Sequence, residues 1–212
     1  FFRYGYTSFY DSLYDKSLFL FKQIKQKTFY YHLGIYFSSH INFIQEKYNL
    51  AISGFEKLQM IKGLAEISSY YITVIYYKQK KYEKVVEYGN DKLLSKKIKN
   101  PKSISRLIAE SYYNLGLYRE CVNSFSSDSF LLLSNQGIYK FGYSLYKIDS
   151  IDLAINIFEK INIQNDSISQ YTSYYLGNCY LKNSQKRYAL NAFNKAKDYN
   201  YDIFLKEDAY YK

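Results

Sequence analysis

The stretch that decides the fold lies at residues 176–196, which read LGNCYLKNSQKRYALNAFNKA. Leu176 and Tyr180 are four residues apart, which is the spacing of one helical face. The same kind of spacing recurs at Ala189, Phe193 and Ala196. The polar run 182–185 separates the two patterns, and such a break is typical of a short turn between antiparallel helices. The stretch therefore predicts a helical hairpin.

The hairpin pattern is repeated along the whole chain. A small or short side chain recurs in steps of 34, 34, 36, 33 and 35 residues, at Ser17, Ala51, Val85, Cys121, Ala154 and Ala189. Twelve residues before each stands another small side chain, at Gly5, Ser39, Thr73, Ala109, Gly142 and Gly177. Four residues after each of the first set, five of six copies are aromatic, at Phe21, Phe55, Phe125, Phe158 and Phe193. Small side chains in both columns let two helices approach closely, and the aromatic ring then covers their contact.

This pattern resembles the signature of the tetratricopeptide repeat (TPR), with its residues at Leu176, Gly177, Tyr180, Ala189, Phe193 and Ala196. The resemblance covers essentially the whole chain. It implies an all-α fold, a right-handed superhelical solenoid of antiparallel helix pairs with about six TPR hairpins plus a partial helix. The predicted repeats are residues 1–29, 30–65, 66–101, 102–134, 135–169 and 170–203, with a partial repeat at 204–212.

The phase of the repeats predicts a single solenoid that is truncated at both ends. Phe1 falls partway along a predicted first helix, and residues 207–212 begin another helix that stops before its partner. Solenoid ends need polar caps, and neither end supplies one. The order of imperfect repeats is also similar to that of very long TPR proteins of the Gram-negative cell envelope. That similarity implies an exported protein of the bacterial periplasm or cell envelope with many more repeats.

The third and fourth copies depart from the pattern. Gly89 replaces the aromatic residue, and Lys92 and Asp128 occupy a late position that is small in the last copy. We therefore expect looser packing in these two repeats, with a short or frayed helix at residues 124–129.

Composition limits the classes of function. The 212 residues carry a formal net charge of +10 and include 29 Tyr and 15 Phe, but no Trp and one Pro. Arginine stands only at Arg3, Arg106, Arg119 and Arg187, and the other basic residues are lysines scattered along the chain. Nucleic-acid readers concentrate Arg and Lys on one element, so this scatter argues against a nucleic-acid partner. No apolar run reaches the ~18–20 residues of a transmembrane helix, so we expect no membrane span in this segment.

The TPR resemblance places the first helices along a concave groove, and two aromatic columns point into it. Three residues before each small residue of the first helix stand Phe2, Tyr36, Tyr70, Arg106, Tyr139 and Tyr174. Four residues after it stand Phe9, Phe43, Tyr77, Tyr113, Tyr146 and Leu181. The two columns face the same way because the seven residues between them make about two helical turns. A more variable column, better suited to specificity, reads Tyr6, His40, Val74, Glu110, Tyr143 and Asn178.

Thirteen residues of these columns are candidates for binding a partner. They are Tyr6, Tyr36, His40, Tyr70, Tyr77, Arg106, Glu110, Tyr113, Tyr139, Tyr143, Tyr146, Tyr174 and Asn178. With Lys147 and Lys182 they offer a mixed polar and aromatic surface for an extended peptide or a helix. The same tyrosines have a second explanation, because consensus TPR sequences often use Tyr at these positions to pack neighbouring repeats.

No residue pattern points to catalysis, a cofactor or a metal. His32 and His40 are eight residues apart, the wrong step for a two-histidine site on a helix. Cys121 and Cys179 are 58 residues apart and fall in core columns, where a free cysteine behaves as a small apolar side chain. The sequence has no glycine loop that would hold a phosphate. We therefore expect no enzyme activity, no cofactor, no metal and no small-molecule substrate.

The first hypothesis is a non-catalytic protein–protein interaction scaffold that binds peptide or protein segments in a Tyr-rich concave groove. An alternative is a helical-repeat RNA-binding protein that uses scattered lysines and stacking tyrosines. Another is a self-assembling structural component of an envelope complex, in which the uncapped ends of the solenoid stack on one another.

Overall fold

The computed structural model describes residues 1–26, 28–96, 99–125 and 134–212, and these form helices joined by short connections. The helices are α1 (Phe2–Tyr10), α2 (Tyr14–Lys22), α3 (Phe29–Ile44), α4 (Tyr48–Glu56), α5 (Ala65–Lys78), α6 (Tyr82–Leu94), α7 (Pro101–Asn114), α8 (Tyr118–Ser124), α9 (Asn135–Lys147), α10 (Ile151–Phe158), α11 (Ser167–Lys182), α12 (Lys186–Lys197) and α13 (Ile203–Tyr211). The described residues contain no strand, so the all-α prediction is confirmed. None of these helices is long and apolar enough to cross a bilayer. Most of the stretch expected to form a short or frayed helix, 124–129, lies outside the described residues.

The helices pair in the order of the chain. The chain divides into two compact units, residues 1–107 and 108–212, and each is described by itself. In unit 1, α1 packs on α2, α3 on α4 and α5 on α6; in unit 2, α9 packs on α10 and α11 on α12. Neighbouring hairpins also meet through their first helices, since α3 contacts α1 and α11 contacts α9. Each unit is therefore a stack of antiparallel helix pairs.

The two columns of small residues lie between the paired helices, and every residue in them is buried. The aromatic column lies directly against the glycines of the first helices. A Cβ on Gly142 would lie 2.7 Å from the ring of Phe158, and a Cβ on Gly177 would lie 2.8 Å from the ring of Phe193. Carbon atoms in good contact stay about 3.5–4.0 Å apart. These glycines are therefore needed for the close approach of the two helices, as the repeat pattern predicted.

The turn inside each hairpin has the same backbone conformation. One residue of each turn has a positive φ, and these residues are Ser12, Glu46, Lys80, Gly116, Asp149 and Ser184. The amide of the next residue donates to a carbonyl five residues earlier, as Lys81 does to Tyr76 at 2.9 Å. This is the Schellman arrangement, which ends many helices and favours glycine at the left-handed position. Among the described turns only Gly116 is glycine, so the other five residues adopt this conformation at a steric cost.

In two repeats, a carboxamide side chain near the start of the first helix forms hydrogen bonds with the backbone that follows the second helix of the same repeat. Gln170 is fully buried on α11, and its side chain donates to the Asp202 carbonyl at 3.0 Å and accepts from the Asp202 amide at 2.7 Å. At the equivalent position on α9, Asn135 exchanges two bonds with the backbone of Asn162, at 2.7 and 3.3 Å. These bonds satisfy backbone groups that follow the second helix. They also fix where the next first helix begins.

The third repeat supplies an aromatic ring one residue before the position at which Gly89 stands. Tyr88 on α6 is half-buried, and its hydroxyl accepts a hydrogen bond from Gln59 Nε2 at 2.7 Å. Its ring centroid lies 5.9 Å from that of Tyr76 on α5. Burial raises the pKa of Tyr88 to about 12. The ring of Tyr88 thus occupies the space between α6 and α4, although the repeat signature has no aromatic residue at this position.

Candidate functional site

The candidate site is the first-helix face. We define it by three columns, which lie three residues before, one residue after and four residues after the small residue of each first helix. A fourth column, two residues before the small residue, connects the faces of neighbouring repeats. Its members with described contacts are Phe37, Tyr71, Lys140 and Tyr175, which we call the inter-repeat residues. Each of them packs against the first-helix face of the preceding repeat.

In unit 1 the inter-repeat residues are aromatic. Phe37 on α3 packs among three rings of α1 at centroid distances of 6.1, 5.1 and 5.3 Å, those of Phe2, Tyr6 and Phe9. Tyr71 on α5 packs among three rings of α3 at 6.4, 5.0 and 5.4 Å, those of Tyr36, His40 and Phe43. Aromatic pairs at such distances each contribute about 0.5–1.5 kcal/mol beyond the burial of area. Burial among these rings lowers the pKa of His40, so this side chain is neutral near pH 7.

In unit 2 the same arrangement forms around Tyr175 on α11. Its ring lies 6.3, 4.8 and 5.5 Å from three tyrosine rings of α9, those of Tyr139, Tyr143 and Tyr146. Burial raises the pKa of Tyr139 and that of Tyr175 above the ordinary value of a phenol, so both hydroxyls stay protonated at neutral pH. The face of α9 is therefore a packed layer of tyrosine rings.

A charged contact replaces the ring contact between α9 and α7. Lys140 is only 8% exposed, and its Nζ lies 2.6 Å from Glu110 Oε2. The same Nζ lies 5.8 Å from the centroid of the Tyr113 ring. Burial of both side chains excludes water from this ion pair, so the two charges attract each other more strongly than a surface pair does. The preceding first helix is thus held by a salt bridge at the place where other repeats use an aromatic ring.

In three of the six repeats an exposed lysine follows the first-helix face, five residues after the small residue. All three place Nζ over a ring of the preceding repeat, at 5.9, 5.8 and 5.1 Å: Lys78 over Phe43, Lys147 over Tyr118 and Lys182 over Tyr146. Cation–π contacts at exposed sites contribute about 0.5–1 kcal/mol and leave the ammonium group accessible to a ligand. Lys182 also pairs with Asp149 at 2.6 Å. The face therefore presents positive charge above aromatic rings.

Stacked helical hairpins of this kind occur in solved structures of repeat proteins. The crystal structure of YrrB, a TPR protein with an unusual peptide-binding site, aligns with a TM-score of 0.71 at 16% identity, over 85% of this chain and 92% of that chain. The C-terminal part of a TPR repeat-containing protein from Cytophaga hutchinsonii aligns with a TM-score of 0.65 at 13% identity, over 93% of this chain and 78% of that chain. The chain has the TPR fold. No family model and no curated protein matches its sequence.

The TPR fold places the candidate residues on first helices, where the next repeat covers much of their surface. Tyr6 is the most accessible at 36% exposure, and Tyr139 is buried at 8%. The others are half-buried, namely Tyr36, His40, Tyr70, Tyr77, Arg106, Glu110, Tyr113, Tyr143, Tyr146, Tyr174 and Asn178. A ligand on the face of α9 would therefore reach the neighbours of Tyr139 before it reaches Tyr139 itself.

Contacts divide the candidate residues into local groups. Tyr71 joins Tyr36 to His40, and Tyr175 joins the three candidate tyrosines of α9. Tyr70 contacts Tyr71 at 5.4 Å, within its own helix. On α11, Tyr174 contacts Asp208 of α13, and Asn178 contacts Lys212, the residue that follows α13. The α9 group also includes Tyr113 on α7, whose ring lies 5.8 Å from that of Tyr143. The groups therefore span two or three neighbouring first helices, and each lies within one unit.

The inter-repeat column is a feature of the candidate site that the repeat pattern does not predict. Its positions read Arg3, Phe37, Tyr71, Leu107, Lys140 and Tyr175. Every residue in it is large, which is a signal that a search for recurring small residues passes over. The column also explains why the candidate tyrosines are only half exposed. The candidate tyrosine rings that would contact a partner are therefore the same rings that pack between neighbouring repeats.

Neither cysteine of the TPR fold is suited to nucleophilic chemistry. Cys121 and Cys179 are both buried, and burial raises their pKa values to about 11 and about 12. A buried thiol with a raised pKa remains protonated at neutral pH and is a weak nucleophile. The part of the chain that the structure describes also holds no group of three His, Cys, Asp or Glu side chains that would bind a metal ion.

Proposed function

We propose that the chain is a non-catalytic scaffold that binds peptide segments of other proteins along its first-helix face. The fold supports this proposal, because YrrB shares it at a TM-score of 0.71 and is a TPR protein with a peptide-binding site. Extended peptides and helices bind to helical repeats through surfaces that are pre-formed by packing. The face of α9 in unit 2 has these properties.

Tyr143 lies at the centre of the proposed surface. Its ring lies between 4.8 and 6.3 Å from five other tyrosine rings, those of Tyr113, Tyr118, Tyr139, Tyr146 and Tyr175. Such packing fixes the rotamer of Tyr143 before any ligand arrives, so little conformational entropy is lost on binding. Aromatic side chains held in this way are frequent hot spots of protein interfaces.

The observation that carries the proposal is the position of Lys147 above these rings. Its exposed ammonium lies 5.6 Å from the centroid of Tyr143 and 5.8 Å from that of Tyr118. A peptide that crosses α9 would find a cation for an acidic side chain beside ring faces for an apolar one. The net charge of +10 favours such a partner, because it attracts acidic segments over long range. The proposed ligand is thus a segment with both acidic and apolar residues.

The test begins with peptides selected on the folded chain from a random display library. The selected sequences should be rich in acidic and apolar residues. Their affinity is then measured by isothermal titration calorimetry with the native chain and with the Lys147→Glu variant. We expect the charge reversal to weaken binding by about tenfold or more, equivalent to ~1.4 kcal/mol, because an attraction becomes a repulsion.

Lys186→Glu is the matched control, since Lys186 is also exposed and lies at the start of the second helix α12. This variant changes the net charge equally and should leave the affinity close to native. Equal weakening by both variants would mean that only net charge matters, and no weakening by either would place the peptide elsewhere. Strong filter retention of single-stranded RNA with a steep salt dependence would instead favour the RNA-binding alternative.

A further inference from the structure

A groove runs between the second helices of neighbouring repeats, on the side that the first-helix face does not use. In unit 2 its walls are α10 and α12, and its floor is α11. It encloses a cavity of about 340 Å³. Its lining includes Phe158 and Ile161 from the α10 side, Ser173 and Leu176 from α11, and Ala192 from α12. The wall and floor are thus mostly apolar, and the groove is large enough for one aromatic side chain.

The same groove recurs in unit 1, where its contents differ. Between α2 and α4 it encloses about 310 Å³, and the residue equivalent to Ala192 is Gly54. Both residues lie three positions after the small residue of their second helix. Between α4 and α6 the equivalent residue is Tyr88, whose ring packs against the buried cluster that contains Phe55 and Ile72. One groove of this chain is therefore filled by its own tyrosine.

The groove of unit 2 keeps the residue types that surround Tyr88. The Tyr88 hydroxyl accepts from Gln59 Nε2 at 2.7 Å and is hydrogen bonded to Ser69. By repeat position, Phe55, Gln59 and Ser69 correspond to Phe158, Asn162 and Ser173. Phe158 and Ser173 line the unit 2 cavity, whereas Asn162 is exposed and is not among its lining residues. The wall ring and the hydroxyl are thus present in unit 2, and the missing component is the phenol ring itself.

We propose that the groove between α10 and α12 binds an aromatic side chain, above all tyrosine, from a peptide segment of a partner protein. The ring takes the place above Ala192 that the ring of Tyr88 takes in the third repeat. The phenol hydroxyl then meets the hydroxyl of Ser173, which lines the cavity. Burial of the ring against Phe158, Ile161 and Leu176 supplies the main driving force, because apolar surface leaves water on both partners.

The groove in unit 1 that contains Gly54 is less suited to this ligand. Its floor carries Ser38 and Asn42, where unit 2 has Leu176 and Tyr180. Because Ser38 and Asn42 are polar, this floor offers less apolar contact to a buried aromatic side chain than Leu176 and Tyr180 do. The assignment is therefore made to unit 2.

The rim of the unit 2 groove is pre-formed. The Tyr180 hydroxyl donates to Glu159 Oε1 at 2.6 Å, which joins the floor to the α10 wall. The ring of Tyr188, on α12, lies 5.5 Å from that of Tyr180 and is itself 60% exposed. The exposed ring of Tyr188 at the rim can therefore contact the edge of the ligand's aromatic ring. Thr172 also lies in the lining, and its buried hydroxyl has no hydrogen-bond partner among the described residues. Ser68 stands at the equivalent position of α5, and its buried hydroxyl likewise has no partner in the described part of the chain.

The experiment uses two small probes, N-acetyl-L-tyrosinamide and N-acetyl-L-leucinamide, titrated into the isotopically labelled chain and followed by amide chemical shifts. The tyrosine probe should perturb amides of α10, α11 and α12, and the leucine probe should bind at least about tenfold more weakly, since it lacks the ring and the hydroxyl. The variant Ala192→Tyr should fill the groove from within, as Tyr88 does, and weaken tyrosine-probe binding by about tenfold or more. Leu190→Tyr is the control, because Leu190 is 58% exposed on the same helix and does not line the cavity.

The variant Tyr88→Ala provides the converse measurement. It should open the groove between α4 and α6 and add a second set of tyrosine-dependent shifts in α5 and α6. Unchanged probe binding by a folded Ala192→Tyr variant, or equal binding of the two probes, would overturn the proposal. If Ala192→Tyr does not fold, the absence of added shifts in Tyr88→Ala would overturn it. Lys147→Glu should leave tyrosine-probe binding unchanged, so this site and the first-helix face are tested separately.

Discussion

The ion pair between Lys140 and Glu110 shows how one residue changes the chemistry of a repeat contact. The other three described inter-repeat residues are aromatic, whereas Lys140 brings a charge to a position that is 8% exposed. Removing water from two charges costs free energy, and their attraction offsets this cost only while both partners are present. The ring of Tyr113, 5.8 Å from the lysine Nζ, adds a second favourable contact.

We therefore predict that Lys140→Met lowers the free energy of unfolding by about 3 kcal/mol, because the Glu110 carboxylate, with its side chain 16% exposed, loses the charge of Lys140. The double variant Lys140→Tyr with Glu110→His should recover most of the loss. It copies the contact between Tyr71 and His40, whose rings lie 5.0 Å apart. Urea unfolding followed by circular dichroism measures both changes.

Lys182→Met is the matched control for this prediction. Lys182 also pairs with an aspartate at 2.6 Å, but its side chain is 47% exposed. Exposed pairs contribute about 0–1 kcal/mol, so the control should change stability little. An equally large loss from both variants would mean that burial of the Lys140 pair is not what matters.

At the scale of elements, the turns inside the hairpins limit the stability of the repeats. Five of the described turns place a residue other than glycine at positive φ, and a side chain costs about 1–2 kcal/mol in that conformation. The helices on both sides hold the turn in place, because the Schellman bond between Lys81 and Tyr76 fixes the backbone around Lys80. Replacing the side chain there should therefore release strain without changing the turn.

We predict that Lys80→Gly raises the free energy of unfolding by about 1 kcal/mol, since φ at Lys80 is 57° and glycine has no Cβ to clash. Lys81→Gly, one residue later at φ −86°, should lower the free energy of unfolding. No strain is released at this φ, and glycine increases the conformational entropy of the unfolded chain. Gly116→Ala, at φ 74°, should also lower it by about 1 kcal/mol. Thermal unfolding distinguishes the three variants. A gain from Lys81→Gly as large as that from Lys80→Gly would rule out this account of the turns.

Several elements follow from the sequence, because a single physical requirement controls each of them. The polar run 182–185 predicted the turn between α11, which ends at Lys182, and α12, which begins at Lys186. The left-handed residue of that turn, Ser184, gave no signal, since the usual glycine is absent. The column of small residues predicted the buried seam because only small residues fit between closely packed helices.

The contacts between repeats could not be predicted in the same way. The inter-repeat column contains Phe, Tyr and Lys, so its members share bulk and not a chemical type. The groove of unit 2 is open because Ala192 is small, and this becomes evident only by comparison with Tyr88, which fills the equivalent groove. Features built from contacts between neighbouring repeats therefore need the structure, whereas features within one hairpin can be inferred from the repeat pattern.

At the scale of the whole molecule, apolar surface remains exposed on the first and the last helix. On α1, Tyr4 and Tyr10 are 71% and 66% exposed; on α13, Phe204 and Tyr211 are 85% and 90% exposed. Large exposed apolar patches mark sites of association. The net charge of +10 opposes association through repulsion between copies, and salt screens that repulsion. The two effects predict how self-association depends on salt.

We predict that the 212-residue chain self-associates with increasing concentration, and that added salt strengthens this association because it screens repulsion and leaves apolar contacts intact. The double variant Phe204→Ser with Tyr211→Ser should shift the equilibrium toward the monomer. Met60→Ser is the control, since Met60 is 93% exposed but lies outside α1 and α13. Sedimentation velocity over a concentration series at low and high salt measures the distribution. Salt should act in the opposite direction on an acidic peptide at Lys147, where it weakens an attraction, so a chain that stays monomeric at high salt would contradict self-assembly without affecting the proposed peptide site.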